Sequence, residues 1–213
     1  MKILFISDKS SWINPYIDDF ISSLDKSKYN IGWTHNHIDI KDNHDLTFIL
    51  SYSRIIEQSF LNLSKNNLVV HESDLPKGKG MSPLTWQVIE GKSEIPIVLF
   101  EAQESLDSGD IYLKDTIQLN GTELVEELRE RQGKKTFELV HQFLIQYPSI
   151  EGKAQAGNST TYEKRTPKDS ELDIHKSIAE QFNLLRVCDN DKYPAFFIHH
   201  GEKYILKISK DYE

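Results

Sequence analysis

His71 and Asp107 are the side chains in this sequence whose type and surroundings best suit proton chemistry. His71 ends the apolar run Asn67-Leu-Val-Val70 and is followed by Glu72, Ser73, Asp74-Leu-Pro76 and the alternating loop Lys77-Gly78-Lys79-Gly80. Asp107 lies in Ser105-Leu-Asp107-Ser-Gly109-Asp110-Ile111, after a second apolar run, Ile95 to Phe100. Imidazole titrates near neutrality, so it can steady a growing charge or pass a proton at pH 7. A nearby carboxylate can orient it, or accept a proton through water. β-Branched residues that give way to polar ones and then to Pro and Gly read as a buried strand feeding a loop. Open α/β sheets bind ligands beyond the carboxyl ends of their strands. Two strand ends would thus bring base and acid to one crevice. Taken singly, each residue also fits a plainer role: a solvated histidine after a strand, and an aspartate in a Ser-Gly turn.

The elements needed to hold these groups can be read along the chain. Lys2–Ser7 shows little alternation, as expected of a strand covered on both faces. Asn14-Pro15 opens a helix with Ile17, Phe20, Ile21 and Leu24 at helical spacing. Strands are expected at Tyr29–Thr34, Leu46–Tyr52, Leu68–His71, Ile95–Phe100 and Asp110–Leu119. Short helices are expected from about Ser51 to Lys65 and from Pro83 to Glu90. Thr122–Tyr147 reads as a helix capped by Thr122 and divided at Gly133, with acidic residues in its first turn. Glu151–Thr161, rich in small polar residues, reads as a mobile connection. Thr166 caps an approach to a helix over Ile174–Val187, and Ala195–Ile208 reads as a hairpin turning at His200-Gly201-Glu202. The pattern is α/β, with a core over 1–150 and a linker, helix and hairpin over 151–213 packed on it.

Composition narrows the function. The 213 residues are 38% hydrophobic and 27% charged, with a net charge of −8. That balance disfavours a dedicated nucleic-acid partner, because phosphate neutralisation needs a basic surface. A single cysteine, Cys188, excludes an internal disulfide and fits a reducing, cytoplasmic setting. No apolar run approaches the roughly 20 residues that span a bilayer, and the N-terminus reads as a strand rather than a signal peptide. The loop Asp8–Trp12 lacks the Gly-x-Gly-x-x-Gly dinucleotide fingerprint. His35, His37 and His44 have no Cys or carboxylate cluster at zinc spacing, so no metal is expected. A homodimer is left open.

With His71-Glu-Ser-Asp-Leu-Pro-Lys-Gly-Lys-Gly-Met-Ser-Pro83 and Ser105-Leu-Asp-Ser-Gly-Asp-Ile111 both in view, the sequence resembles the folate-dependent formyltransferases. That superfamily includes methionyl-tRNA formyltransferase and nucleotide-sugar N-formyltransferases. Ser51-Tyr-Ser-Arg-Ile-Ile56 and Tyr162-Glu-Lys-Arg165-Thr-Pro-Lys-Asp-Ser-Glu-Leu-Asp173 are similar to further family segments. The resemblance is greatest to small sugar enzymes of the pseudaminic-acid pathway.

The resemblance implies a Rossmann-like formyltransferase fold: a mostly parallel twisted sheet with helices on both faces, then a short C-terminal helix and a β-hairpin. It implies N10-formyltetrahydrofolate as formyl donor and a UDP-linked 4-amino-4,6-dideoxy-N-acetyl-L-altrosamine as acceptor. It makes His71 and Asp107 catalytic, and assigns Ser51, Tyr52, Ser53, Arg54, Ile55, Leu106 and Asp107 to the folate. The acceptor would be met by Ser73, Lys77, Gly78, Lys79, Gly80, Met81, Tyr162 and Arg165. The lysines equally suit an exposed turn, and Tyr162 a half-buried loop position. Transfer to methionyl-tRNA is less expected, since the chain ends at Glu213 without room for a tRNA-binding domain. A formyltetrahydrofolate hydrolase and a catalytically impaired binding module are the alternatives. The latter rests on Val69, which stands where the family carries an asparagine whose amide stabilises the formyl oxygen. Asn67, Ser73 or a backbone N–H would then have to supply that hydrogen bond.

Overall fold

The computed structural model describes residues 1–211. In chain order the elements are β1 (Lys2–Ile6), α1 (Asn14–Ser23), β2 (Asn30–Thr34), β3 (His44–Ile49), α2 (Gln58–Leu61), β4 (Ser64–His71) and β5 (Lys79–Gly80). They continue with α3 (Pro83–Ile89), β6 (Glu94–Glu101), β7 (Ile111–Gln118), α4 (Val125–Gln146) and β8 (Thr161–Tyr162). The chain closes with α5 (Phe182–Arg186) and the hairpin β9 (Ala195–His199) and β10 (Glu202–Leu206).

Six strands form the central sheet in the order β2-β1-β3-β4-β6-β7. The three pairings among β2, β1, β3 and β4 are parallel, whereas β6 runs antiparallel to both β4 and β7. The fold is the expected α/β arrangement around a mostly parallel sheet.

Alternate residues of each strand point to opposite faces, and both faces are buried. Ile3, Phe5, Leu46, Phe48, Leu68, Ile97 and Leu99 pack on one side with Ile17 of α1, Val88 of α3 and Leu139, Val140 and Phe143 of α4. On the other side Leu4, Ile6 and Ile49 meet Leu61 of α2, while Val98, Phe100 and Ile111 meet Leu75. The second face therefore carries one four-residue helix and loops, a thinner cover than the first.

Several local expectations give way. The helix expected up to Lys65 shrinks to α2 because Ser64–Asn67 pair with β3 and lengthen β4. Thr122 does not cap α4: its N–H and hydroxyl both donate to Asn120 Oδ1, and the helix starts at Val125, where Glu127 accepts the Leu124 N–H. Gly133 does not divide α4. A Cβ there would lie 2.8 Å from Cδ1 of Tyr16, so the glycine lets α1 approach.

The stretch 151–161 is tied down rather than free. Lys153 and Ile111 exchange backbone hydrogen bonds of 2.8 and 2.9 Å, and β8 pairs in parallel with β5. The helix expected over 174–187 is only α5. Asp173 accepts the N–H of His175, and Glu180 accepts the N–H and hydroxyl of Ser177, so side chains compete with helical pairing until Phe182. The C-terminal segment is fastened to the core through Arg186, which is 2% exposed and donates to the carbonyl and carboxylate of Glu123.

Candidate active site

β4 delivers His71 to the rim of the sheet on the same face as Val69, two residues earlier. Its Nε2 lies 2.8 Å from the carbonyl oxygen of Gly78. A carbonyl only accepts, so the imidazole proton sits on Nε2. The loop after β6 returns to this rim and places Asp107 Oδ2 3.9 Å from the same nitrogen. That oxygen also accepts the N–H of Gly80 at 2.8 Å. Asp107 has φ +50°, a left-handed turn conformation that aspartate tolerates better than most residues. Gln155 holds the loop from below, its Nε2 donating to the carbonyls of Asp107 and Gly109 at 2.9 Å each.

The pair opens onto a cleft of about 580 Å³. Val69, Val70, Ile49, Leu50 and Phe100 supply apolar walls, with Ile55 and Leu106 at the mouth, 82% and 62% exposed. Ser51, Tyr52, Ser53 and Arg54 line it as well. Here the side chains turn away: the Tyr52 hydroxyl bonds His37 Nδ1, and the Arg54 guanidinium bonds Asn36 Oδ1 and His35 O. A flat heterocycle would therefore meet backbone edges between apolar walls. That arrangement fits a pterin, and every residue expected to hold the folate lies on this one cleft.

A second cavity, of about 300 Å³, adjoins the first and shares Trp12, Glu72, Met81, Ser82 and Gln132 with it. Arg129, Lys164, Arg165 and Tyr193 line its far side. Of the residues expected at the acceptor, Gly80 and Met81 line the cleft, and Met81 and Arg165 line the second cavity.

Ser73, Lys77, Gly78, Lys79 and Tyr162 line neither cavity. Lys77 is exposed and Lys79 sits in the β5–β8 pairing. Gly78 brings its backbone against Ser73 and the Tyr162 ring, where a Cβ would fall within 3.0 Å of both. Tyr162 stacks on Trp86 and donates to Glu90, and burial together with that bond raises its hydroxyl pKa. Arg165 lies over Trp86 and donates to Asp169 O, while its Nε is buried without a partner.

Val69 brings no side-chain amide to the cleft, and besides a backbone N–H the sequence offered two side-chain substitutes. Asn67 is committed elsewhere: its Nδ2 donates to Leu61 O, and its backbone bonds Glu101 Oε1 and Ala102. The Ser73 hydroxyl is buried without a partner but does not line the cleft. Side-chain amides lining it come instead from Gln132 on α4 and Gln103 on the loop after β6.

Sequence reasoning missed Glu72, Gln132 and Gln155. Burial raises the Glu72 carboxyl pKa, opposed by neighbouring His71 and a hydrogen bond from Gln132. No local signal marks these residues; only helix packing and the tied 151–161 segment bring them together.

Residues 39–144 match the family model described as Formyl transferase. The methionyl-tRNA formyltransferase of Rickettsia massiliae (strain Mtu5) is 26% identical over 174 residues, 81% of this chain and 57% of the relative. The chain thus spans little more than half the length of that curated relative. Among solved structures, the methionyl-tRNA formyltransferase from Clostridium thermocellum superposes with a TM-score of 0.85 at 23% identity, over 99% of this chain and 93% of that one. A sugar N-formyltransferase from Shewanella sp FDAARGOS_354 gives 0.75 at 13% identity, over 99% and 98%. At such identities the structural likeness is one of fold. The family match over residues 39–144 and the shared fold thus point the same way, toward the formyl transferases.

Proposed function

We propose that this protein is an N-formyltransferase that moves a formyl group from N10-formyltetrahydrofolate to the amino group of a nucleotide-linked amino sugar. The acceptor we favour is UDP-4-amino-4,6-dideoxy-N-acetyl-L-altrosamine. The observation that carries the reading is the meeting of His71 and Asp107, 3.9 Å apart, at the head of an apolar cleft with backbone edges.

The chemistry that N10-formyltetrahydrofolate would supply is a formyl carbon bonded to a nitrogen able to leave. The protein's own groups then have separate tasks. The Nε2–H of His71, held on Gly78 O, turns to the formyl oxygen as charge grows there; in its imidazolium form, with a second proton kept on Nδ1, the ring gives the Nε2 proton to the departing nitrogen and is left neutral. Asp107 orients the imidazole and accepts, through a water, the last proton lost by the amine. Arg165 and Lys164 on the second cavity suit the phosphates of a nucleotide. Its walls on either side of Met81 suit the sugar.

Two further acceptors share this site. The methionyl-tRNA reading has the 26% identity to such an enzyme in its favour. A hydrolase would put water where the amine stands. Incubation with N10-formyltetrahydrofolate and a panel of UDP- and dTDP-linked amino sugars should yield a formamide with one of them. No formamide from any sugar sinks the proposal, formate release without acceptor selects the hydrolase, and formylmethionyl-tRNA selects the tRNA enzyme. Binding without any turnover would select the impaired module.

A further inference from the structure

Glu72 is a buried titratable group shared by both cavities to which the reaction above gives no task. It is 9% exposed and follows His71 directly, yet its side chain leaves on the other side of the strand end, toward α4. It lines both cavities, together with Gln132 and Met81. Among the described residues no lysine, arginine or histidine nitrogen forms an ion pair with it; its side-chain partner is the neutral amide of Gln132. Of the cations that line the second cavity, Arg129 pairs with Asp189 at 2.9 Å, Arg165 donates to Asp169 O and lies over Trp86, and Lys164 makes no ion pair with Glu72.

A carboxylate taken out of water without a cationic partner is costly, and buried charges in folded proteins are normally paired. Glu72 faces open volume on both sides, so a partner can come from outside the chain. The gap it guards joins the cavity with the phosphate-suited cations to the cleft of His71 and Asp107. An amine bound for the formyl group has to cross this junction, and at neutral pH it arrives as an ammonium.

From this placement we infer that the Glu72 carboxyl receives the protonated amine of the acceptor. The inference rests on the formyl-transfer reading and adds the group that recognises the nucleophile. The ammonium binds as the missing cation, with Gln132 holding the carboxyl in position. An ammonium has no lone pair, so it must give up one proton before it can attack. Burial makes Glu72 a stronger base than an ordinary glutamate. The N–H bond breaks as an O–H bond forms on Glu72, leaving a neutral amine beside a neutral acid with no other reactant consumed. Attack on the formyl carbon then frees a second proton, the one assigned to Asp107.

The test compares paired ligands on wild-type protein and Glu72→Gln, which keeps the side chain's volume. UDP-4-amino-4,6-dideoxy-N-acetylaltrosamine and its 4-hydroxy counterpart are titrated calorimetrically in the presence of tetrahydrofolate. Wild type should bind the amino form at least about tenfold more tightly, and Glu72→Gln should erase that preference while binding tetrahydrofolate as wild type does. Equal binding of the two ligands by wild type, or a preference surviving in Glu72→Gln, overturns the role of Glu72. Should neither nucleotide sugar bind, the acceptor proposed above is wrong. Glu72 is then judged by methioninamide against its 2-hydroxy analogue on the same two criteria. The wild-type comparison stands even if the variant fails to fold.

Discussion

The Nε2 atom of His71 and the Oδ2 atom of Asp107 lie 3.9 Å apart although their strands, β4 and β6, run in opposite directions. In an all-parallel sheet both groups would leave from the same end without further help. Here β6 ends beside Leu68, short of the rim where His71 sits, and the chain after it has to climb back. It does so in a loop pinned at Asp107 by the Gly80 N–H on one side and Gln155 on the other. The pair is thus a product of the loop's fastening as much as of the sheet.

Removing either member should stop the proposed reaction without unfolding the protein. His71→Ala is expected to lower kcat by about 10²–10⁴-fold and Asp107→Asn by about 10²-fold, the usual range for a positioned acid or base. Asp107→Asn keeps a carbonyl to accept the Gly80 N–H. Formamide production by purified variants checks this, and wild-type turnover by His71→Ala would refute the site.

Gln155→Ala should loosen the loop while leaving the sheet intact. Two hydrogen bonds from one amide are lost, and the carbonyls of Asp107 and Gly109 then turn to water. We expect kcat/KM to fall about ten- to a hundredfold, since small misplacement of a reacting group is costly. Hydrogen exchange should rise within 102–110 and stay unchanged in β4 and β6. A rise spread over the whole sheet would count against a local latch.

Gly80→Ala should be poorly tolerated. Gly80 has φ +97°, and a Cβ there would lie 2.3 Å from the Tyr162 carbonyl oxygen. The β5–β8 pairing would have to open, at a cost of about 1–3 kcal/mol, the range for a residue forced into a disfavoured backbone region. A drop in melting temperature together with loss of activity is the expected result, because Gly80 also donates to Asp107.

Burial of Glu72 gives a pH signature of opposite sign to ordinary acid denaturation. Its folded pKa lies above the ordinary value of 4.5, so between 4.5 and the raised value the folded state binds more protons than the unfolded one. Stability therefore falls as pH rises through that window. Glu72→Gln removes this loss. It should melt above wild type at pH 8, with the gap closing as pH approaches 4.5. Parallel melting curves at both pH values would contradict a carboxyl held up by burial.

Arg186→Met should cost about 3–5 kcal/mol, the usual penalty for breaking a buried ion pair from one side. Burial pushes the Glu123 carboxyl up, but the backbone N–H groups of Asn120, Glu123 and Gly121, with Arg131, outweigh it and leave its pKa lowered. The stabilisation this carboxylate provides is present above pH 4.5 and fades as pH falls through the lowered folded value. Chemical denaturation at pH 7 measures the first effect, and acid titration of wild type the second.

What could be read from the sequence follows from how local each signal was. The strands around Phe5, Phe48 and Leu99 announced themselves because both of their faces are buried, which makes the apolar run continuous. Asn14-Pro15 and His200-Gly201 marked a helix start and a hairpin turn by backbone chemistry alone, the latter with φ of +51° and +84°. The helix expected over 174–187 misled because Asp173, Ser177 and Glu180 bond to their own neighbourhood, which helical spacing does not reveal. In the candidate site, the placing of His71 and of Ser51–Ile55 on one cleft was legible from strand ends and resemblance. The lining of the second cavity was not. It depends on where α4 and the C-terminal segment come to rest, so Glu72, Gln132 and Gln155 carried no mark, and Lys77 and Lys79 drew attention that their placement does not repay.

The hold of Gln155 on the loop bears on how the protein matures. Once residue 150 has left the ribosome, all six strands of the central sheet and the long helix can assemble. The aspartate would then have the Gly80 N–H but not yet the hold of Gln155. Only when the next dozen residues have emerged and paired beside Lys79 is the loop around Asp107 fastened on both sides, so a nascent chain would acquire its shape before its finished cleft.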